Sequence, residues 1–295
     1  MNVILRPVFN RPEMFFLSLE YEKLAREYYK FSSDLLTIFV IEHGSDAKTK
    51  ELVRSYPYNK EIIKREKQFG LSKNILEGMK SAFNLSDNFI IYIEDDILLH
   101  KTYFQYMDVL LNMFSEKEYT IFSASSADNS EKNVNALYKG HHYTALAPLI
   151  TKSFFNRYLE VCVDPVYYKD TSSRNKFINA LNYKYKKYVG KGYKFVNDKY
   201  NEQAGLINRL VDVAFIEEDK CIITPYVSRQ LHIGYYGKNR PGGKIPGKNF
   251  DEKLVSLREI IKDPVKMYQL STTKQYNDYL TWSPELETWD GTLYI

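Results

Sequence analysis

Only two cysteines, Cys162 and Cys221, occur in 295 residues. That is too few for a disulfide framework. Neither has a second Cys or a His at zinc-ligand spacing, so both read as buried thiols. Long apolar runs are missing as well. The two longest, over 35–41 and 89–99, are too short to span a bilayer. The opening MNVILRPVFNRPE carries a short apolar strand but no basic segment leading into a long apolar one, so no secretory leader is expected and the expected location is cytoplasmic. Charge of one sign is absent too: 41 Lys and Arg face 37 Asp and Glu, and the net charge of +4 favours anionic partners only weakly. With 44% hydrophobic and 26% charged residues, the disordered, collagen-like and membrane-bundle classes are excluded. At roughly 150 residues per domain, the length allows one large α/β domain or two small ones. Tryptophan is scarce, 2 residues against 26 Tyr and 17 Phe. Tyrosine buries a ring and keeps a hydroxyl, which suits grooves that hold polar ligands. An AT-rich genome would raise Tyr, Lys, Asn and Ile together in the same way.

The pattern along the first 125 residues alternates strand and helix. Residues 3–5 read as a short buried strand, followed by a loop punctuated by Pro7 and Pro12. Residues 13–30 place Phe16, Leu19 and Leu24 at helical spacing. The continuous apolar run 35–41 is a strand, and Ser45 or Asp46 could cap a helix over 47–55. Ile62 and Ile63 mark another strand, and Ser72 is a good N-cap for a helix over 72–84. Strand 89–93, helix 103–114 and strand 119–124 complete the alternation. Such a rhythm predicts a doubly wound α/β sheet with ligands at the C-terminal ends of its strands. Beyond 130 the rhythm weakens. A strand over 144–150, helices over 152–160, 203–213 and 251–262, and a strand over 221–227 are expected. Between them lie a basic, aromatic stretch at 182–194 and a loop at 234–247 with five glycines and two prolines.

The most informative segment is Tyr92-Ile93-Glu94-Asp95-Asp96. Three consecutive carboxylates directly after an apolar strand repel one another, and a cation or hydrogen-bond donors must offset that cost. A hard divalent ion such as Mg²⁺ or Mn²⁺ is typically held by one or two carboxylates plus substrate phosphates. A solvated acidic turn ahead of a helix is the plain structural alternative.

Several ordered segments together resemble the GT-A nucleotide-sugar glycosyltransferases over about residues 1–250. Arg6-Pro7-Val8-Phe9-Asn10-Arg11-Pro12-Glu13 resembles their first strand and loop. Phe39-Val40-Ile41-Glu42-His43-Gly44-Ser45 resembles the strand and acidic turn that meets the nucleobase, with Glu42 where most such enzymes carry Asp. Gly70-Leu71-Ser72-Lys73-Asn74 resembles the segment under the nucleotide, and Glu94-Asp95-Asp96 the DxD-type metal motif in its EDD form. That form, followed by Tyr103, Phe104 and Tyr106, is similar to the inverting N-acetylglucosaminyltransferases that extend mannosyl glycoproteins. Residues 122–129 and 223–229 continue the agreement.

The resemblance implies a GT-A, Rossmann-like mixed sheet with helices on both faces. It implies one domain over 1–265, with a nucleotide-sugar half (1–130), an acceptor half (131–265) and a C-terminal tail (266–295) as a possible lid. Asp96 would coordinate Mn²⁺ or Mg²⁺, Asp95 the ribose or a metal-bound water, and Glu94 the donor sugar. Glu42 would accept a hydrogen bond from the base, with Arg6, Pro7, Lys73 and Asn74 near the nucleotide. The donor would be a nucleoside-diphosphate sugar, a UDP-sugar first of all, and the acceptor a glycan hydroxyl.

Other residues come from the late loop. His232 is a second candidate metal ligand, and Lys238 and Arg240 could bind the diphosphate. The mannosyl-glycoprotein enzymes lack a histidine at the matching place. An inverting transfer needs one general base. Glu202, at the start of a helix, stands about where the family carries it, with Asp198 as its rival and Asp128 behind both. His141 and His142 point to opposite faces if they lie on a strand and read as acceptor-side or structural, while His43 and His100 follow strand ends. The stretch 182–194 suits either an exposed amphipathic surface or a phosphate backbone with rings for stacking. The second option would make DNA the acceptor, as in viruses that glycosylate their own modified bases. A sugar nucleotidyltransferase is disfavoured because no Gly-rich basic loop follows the first strand. A non-catalytic binding module would not need three clustered carboxylates.

Overall fold

The computed structural model describes residues 1–32, 34–114, 121–126, 133–140, 143–160, 183, 221–233 and 282–295. The chain begins with β1 (Asn2–Val8), seven residues that are all buried. Such a continuous run is what a strand covered on both faces requires. It leads into α1 (Pro12–Tyr28), which starts at a proline whose missing N–H costs nothing there, with Glu13 in its first turn and Arg26 in its last as the helix dipole favours. The pattern then repeats through β2 (Leu35–Ile41), α2 (Ala47–Ser55), β3 (Lys60–Lys64), α3 (Leu71–Leu85) and β4 (Phe89–Tyr92). Asp46 caps α2 by accepting the Thr49 N–H at 2.7 Å. The cap of α3 differs from the sequence expectation: the helix starts at Leu71, and Gly70, with φ 78°, is the residue before it. A left-handed backbone there is available to glycine at little cost, so the helix needs no Ser72 cap.

After β4 come β5 (Ile97–Leu99), α4 (Tyr103–Met113), β6 (Ile121–Phe122), β7 (Leu137–Gly140), β8 (Leu149–Thr151), a short α5 (Lys152–Phe154) running into a π turn, β9 (Ile222–Pro225) and β10 (Gln230–His232). The eight-stranded sheet has the order β3-β2-β1-β4-β8-β6-β9-β7, and β10 pairs with β5 in a separate ribbon. Strands β3 to β4 are parallel, while β8 runs antiparallel to both β4 and β6. The sheet is therefore mixed.

Alternate residues of β1 serve opposite faces, as the two-residue period of a strand dictates. Val3 and Leu5 join α3 in one core; Ile4 joins α1 and α4 in another. Helices thus cover both faces, and the fold is the Rossmann-like α/β class expected from the sequence. Gly78 lets α3 approach closely: a Cβ there would lie 3.1 Å from Val40 Cγ2. Residues 282–295 are built into this body. Leu286 and Trp289 are buried, and the Leu137 N–H donates to Tyr294 O at 2.8 Å. Among the described residues, no helix is long and apolar enough to cross a membrane.

Several boundaries depart from the sequence reading. β1 extends past residue 5 because Arg6 and Pro7 belong to it. Proline is tolerated where a strand lacks a neighbour, and β4 pairs with β1 only as far as Leu5. β7 had no visible signal, and β5 was hidden inside the apolar run 89–99. Of the strands expected over 119–124, 144–150 and 221–227, the described residues form β6, β8 and β9, while 119 and 120 lie outside them.

Candidate functional site

The strand order places β1 beside β4, while the chain between them runs outward through β2 and β3 and back. That is a topological switch point, where the connections leaving two neighbouring strands diverge and open a crevice. The β1–α1 connection and the acidic triplet after β4 meet there. The Phe9 N–H donates to Asp95 Oδ2 at 3.2 Å. The Arg11 guanidinium bridges the pair, with Nη2 on Asp95 Oδ1 and Nη1 on Asp96 Oδ2. From the other side, β10 pairs antiparallel with β5 so that His232 stands opposite Ile97. This brings His232 Nε2 within 3.4 Å of Asp96 Oδ2, and the Ile233 N–H donates to Asp96 O at 2.9 Å. Tyr92, fully buried, donates its hydroxyl to Glu94 Oε1 at 2.9 Å. Its ring is therefore core, not a platform for a ligand.

The electrostatics follow from burial. Glu94 is pushed up to about 7 by desolvation and by Asp96, with Tyr92 and Arg11 pulling the other way. Desolvation also raises Asp95, to about 6, against the pull of Arg11. Desolvation opposes the charge on Asp96 too, but His232 and Arg11 outweigh it and hold that carboxyl below its ordinary value. Arg11 is itself held above its ordinary value: desolvation works against its charge, and Asp95, Asp96 and Glu94 more than compensate.

A cleft of about 610 Å³ opens beside this cluster, lined by residues 9–13 and 46–48. Asn10 shapes it, with a left-handed backbone (φ 50°) that asparagine tolerates and an Oδ1 that accepts the Asp46 N–H at 2.7 Å. Arg11 belongs to both the cleft and the acidic cluster. At the end of β2, Glu42 Oε1 accepts the N–H groups of His43 and Phe69, each at 3.0 Å. Its other oxygen, Oε2, is buried without a hydrogen-bond partner. Asn74 is buried and accepts from Arg65 Nε at 2.9 Å, and Lys73 Nζ lies 4.6 Å from the centre of the Phe69 ring.

Not every expected residue is at the site. Arg6 points into the core, where it pairs with Glu22 and Ser18 and is fully buried. Pro7 is likewise buried within β1. His100 is buried, with Thr102 and the Trp282 ring as neighbours, and His43 is exposed beyond β2. Glu202, Asp198, Asp128, Lys238, Arg240, His141 and His142 lie outside the described residues, as does the stretch 182–194 apart from Tyr183. Sequence reasoning missed Arg11, although its place directly after the first strand and before Pro12 was visible.

Asp96 and His232, the expected metal ligands, do meet, yet they fit a resident divalent cation poorly. Three of the four carboxylate oxygens of Asp95 and Asp96 already accept hydrogen bonds, two of them from Arg11. Only Asp96 Oδ1 is buried without a partner. Among the described residues, no three of His, Cys, Asp and Glu are arranged to hold a metal ion.

No protein-family model and no curated protein matches the sequence. Solved structures do match. A mannosyltransferase from Pyrobaculum calidifontis, in complex with GDP-Man and Mn²⁺, is 10% identical over 52% of this chain and 45% of its own, with a TM-score of 0.39. S. aureus TarS 1-349 is 8% identical over 93% of this chain and 76% of its own, at 0.46. The inositol-1-phosphate CTP transferase from T. maritima is 10% identical over 89% of this chain and 97% of its own, at 0.41. This chain covers less than half of the mannosyltransferase.

Proposed function

We propose that the chain transfers a sugar from a nucleoside-diphosphate sugar to an acceptor hydroxyl, with a glycan as the acceptor class. The observation that carries the reading is the meeting of the Glu94–Asp96 triplet with the β1–α1 connection at the switch point, next to the cleft. An α/β sheet binds its ligand at such a crevice. Carboxylates whose values are raised by desolvation cluster at functional sites, and the half-buried Glu94 and the buried Asp95 are both raised in this way.

In this reading the base lies near Glu42, whose unpartnered Oε2 accepts a base N–H. Asp95 and Glu94 hold the ribose and the transferred sugar through their hydroxyls. Departure of the nucleoside diphosphate develops negative charge on the leaving oxygens, and fixed cations and N–H donors stabilise it without reorganising at the moment of reaction. Lys238 and Arg240 are candidates for that task. Because three of the four oxygens of Asp95 and Asp96 are already engaged and only Asp96 Oδ1 is left, no step here runs through Mn²⁺ or Mg²⁺. The transfer is read as inverting, with one general base, Glu202 or Asp198, taking the acceptor proton.

The test is a donor screen in which the protein is mixed with UDP- and GDP-sugars, with and without Mn²⁺, and released nucleoside diphosphate is measured. Release or protective binding of at least one donor is expected. Absence of both with every donor sinks the reading. Replacing Glu202 by Gln should nearly abolish turnover and leave donor affinity intact, whereas retained turnover moves the base to Asp198.

A further inference from the structure

Arg11 joins the two parts of the site. Its guanidinium lies across Asp95 and Asp96, whose side chains are each 3% exposed, and its own side chain is 17% exposed. The residue is held from both sides in the sequence. Pro12 begins α1 immediately after it, and Asn10 immediately before it is fixed to the Asp46 N–H. Of the five N–H donors of a guanidinium, two serve the carboxylates and the Nε–H is buried without a partner. Donors therefore remain for another anion. A hard divalent ion needs several oxygens converging on one point, and the guanidinium already bridges the two carboxylates that would supply them.

We propose that Arg11 is the resident cation of this site: it neutralises Asp95 and Asp96 in place of a free divalent metal and presents its remaining donors to the diphosphate of the donor. The first half stands on the geometry alone; the second rests on the donor reading above. Arginine suits both tasks because its planar fork matches carboxylate and phosphate oxygens alike. The acidic pair then acts as the positioning partner of Arg11, not as a metal cradle.

Mn²⁺ alone is the first probe, with free Mn²⁺ followed by electron paramagnetic resonance as the full-length chain is titrated in without nucleotide. Wild type should leave Mn²⁺ largely free up to about 1 mM, a range in which a built carboxylate site would bind. Arg11→Ala removes the counter-charge and should bind Mn²⁺ at least about tenfold more tightly, while Arg11→Lys, which keeps the charge, should stay weak. Pyrophosphate in the presence of EDTA is the second probe. Wild type should bind it, and Arg11→Ala should bind it about tenfold or more weakly. Wild-type Mn²⁺ binding as tight as that of Arg11→Ala overturns the proposal, as does pyrophosphate binding that requires Mn²⁺ and is indifferent to Arg11. If Arg11→Ala does not fold by circular dichroism, the wild-type and Arg11→Lys titrations decide alone. The donor reading fails separately: these outcomes with no sugar donor bound remove the transferase and keep the resident cation. Donor turnover with tight wild-type Mn²⁺ binding does the reverse.

Discussion

Arg6 Nη1 and Glu22 Oε2 lie 2.6 Å apart with neither side chain exposed. Glu22 also accepts from Arg26 Nε at 2.9 Å and from the Tyr56 hydroxyl at 2.5 Å. Ser18 accepts from Arg6 and donates to Ile97 O. This network ties β1, α1 and β5 together beneath the site, and it is why a basic residue in the first strand does not reach the cleft. Removing one partner of a buried pair leaves the other charge uncompensated, at a cost of about 3–5 kcal/mol. Glu22→Ala is therefore expected to lower the unfolding free energy in urea by about that amount. A loss below about 1 kcal/mol, the size of a surface pair, would show that the network is not structural.

His100 makes stability depend on pH. Its ordinary value near 6.5 is pushed down to about 4, by burial first, with Lys101 and Arg229 adding to the effect and Glu287 opposing it. Its Nδ1 accepts the Thr102 N–H at 3.2 Å, so the neutral ring is the folded form. A depressed folded value means the contribution is complete above pH 6.5 and is lost as pH falls toward 4. The melting temperature should drop across that window by roughly 5 °C more in wild type than in His100→Asn. Parallel curves for the two proteins would remove His100 as the cause.

Glu42 offers a test of the nucleotide end that leaves the acidic cluster untouched. Glu42→Gln keeps one oxygen for the His43 and Phe69 N–H groups but turns the unpartnered acceptor into a donor. Calorimetric affinity for the nucleoside diphosphate of the active donor should fall about tenfold or more, the effect of leaving a base N–H without its acceptor. The melting temperature should barely move. Unchanged affinity would place the base elsewhere.

Asp46 combines two contacts at the cleft wall: it caps α2 and its N–H holds Asn10. Asp46→Ala removes the cap alone, since the N–H remains. The expected loss is about 1 kcal/mol of stability, read from chemical denaturation. A cost near zero would mean that water or a neighbour replaces the cap.

Much of the fold was legible because local signals and tertiary structure agree in its first half. The apolar run 35–41 is β2 to the residue, and the helix expected over 47–55 is α2. Strands buried on both faces show as unbroken apolar runs, and capped helices announce their starts. β7 was not legible, since four residues of ordinary composition become a strand only through their partners; β5 lay inside the apolar run 89–99, where no local signal separates it from β4 across the acidic triplet. Ser72 was misleading because the better start, Gly70, works through backbone conformation and not through a side chain.

For the site, the sequence alone determined that three carboxylates follow a buried strand in an α/β alternation, and so that they stand at a strand's C-terminal end. Chain order and side-chain period suffice for that. The counter-charge was decided only in three dimensions. Arg11 reaches Asp95 and Asp96 because β4 returns to the side of β1, and His232 reaches Asp96 because β10 pairs with β5. Arg6, five residues earlier than Arg11, faces Glu22 instead. Which of two nearby arginines meets an acidic pair depends on whether each stands within β1 or in the connection beyond it and on which strands become neighbours, and no local pattern in the chain records the second.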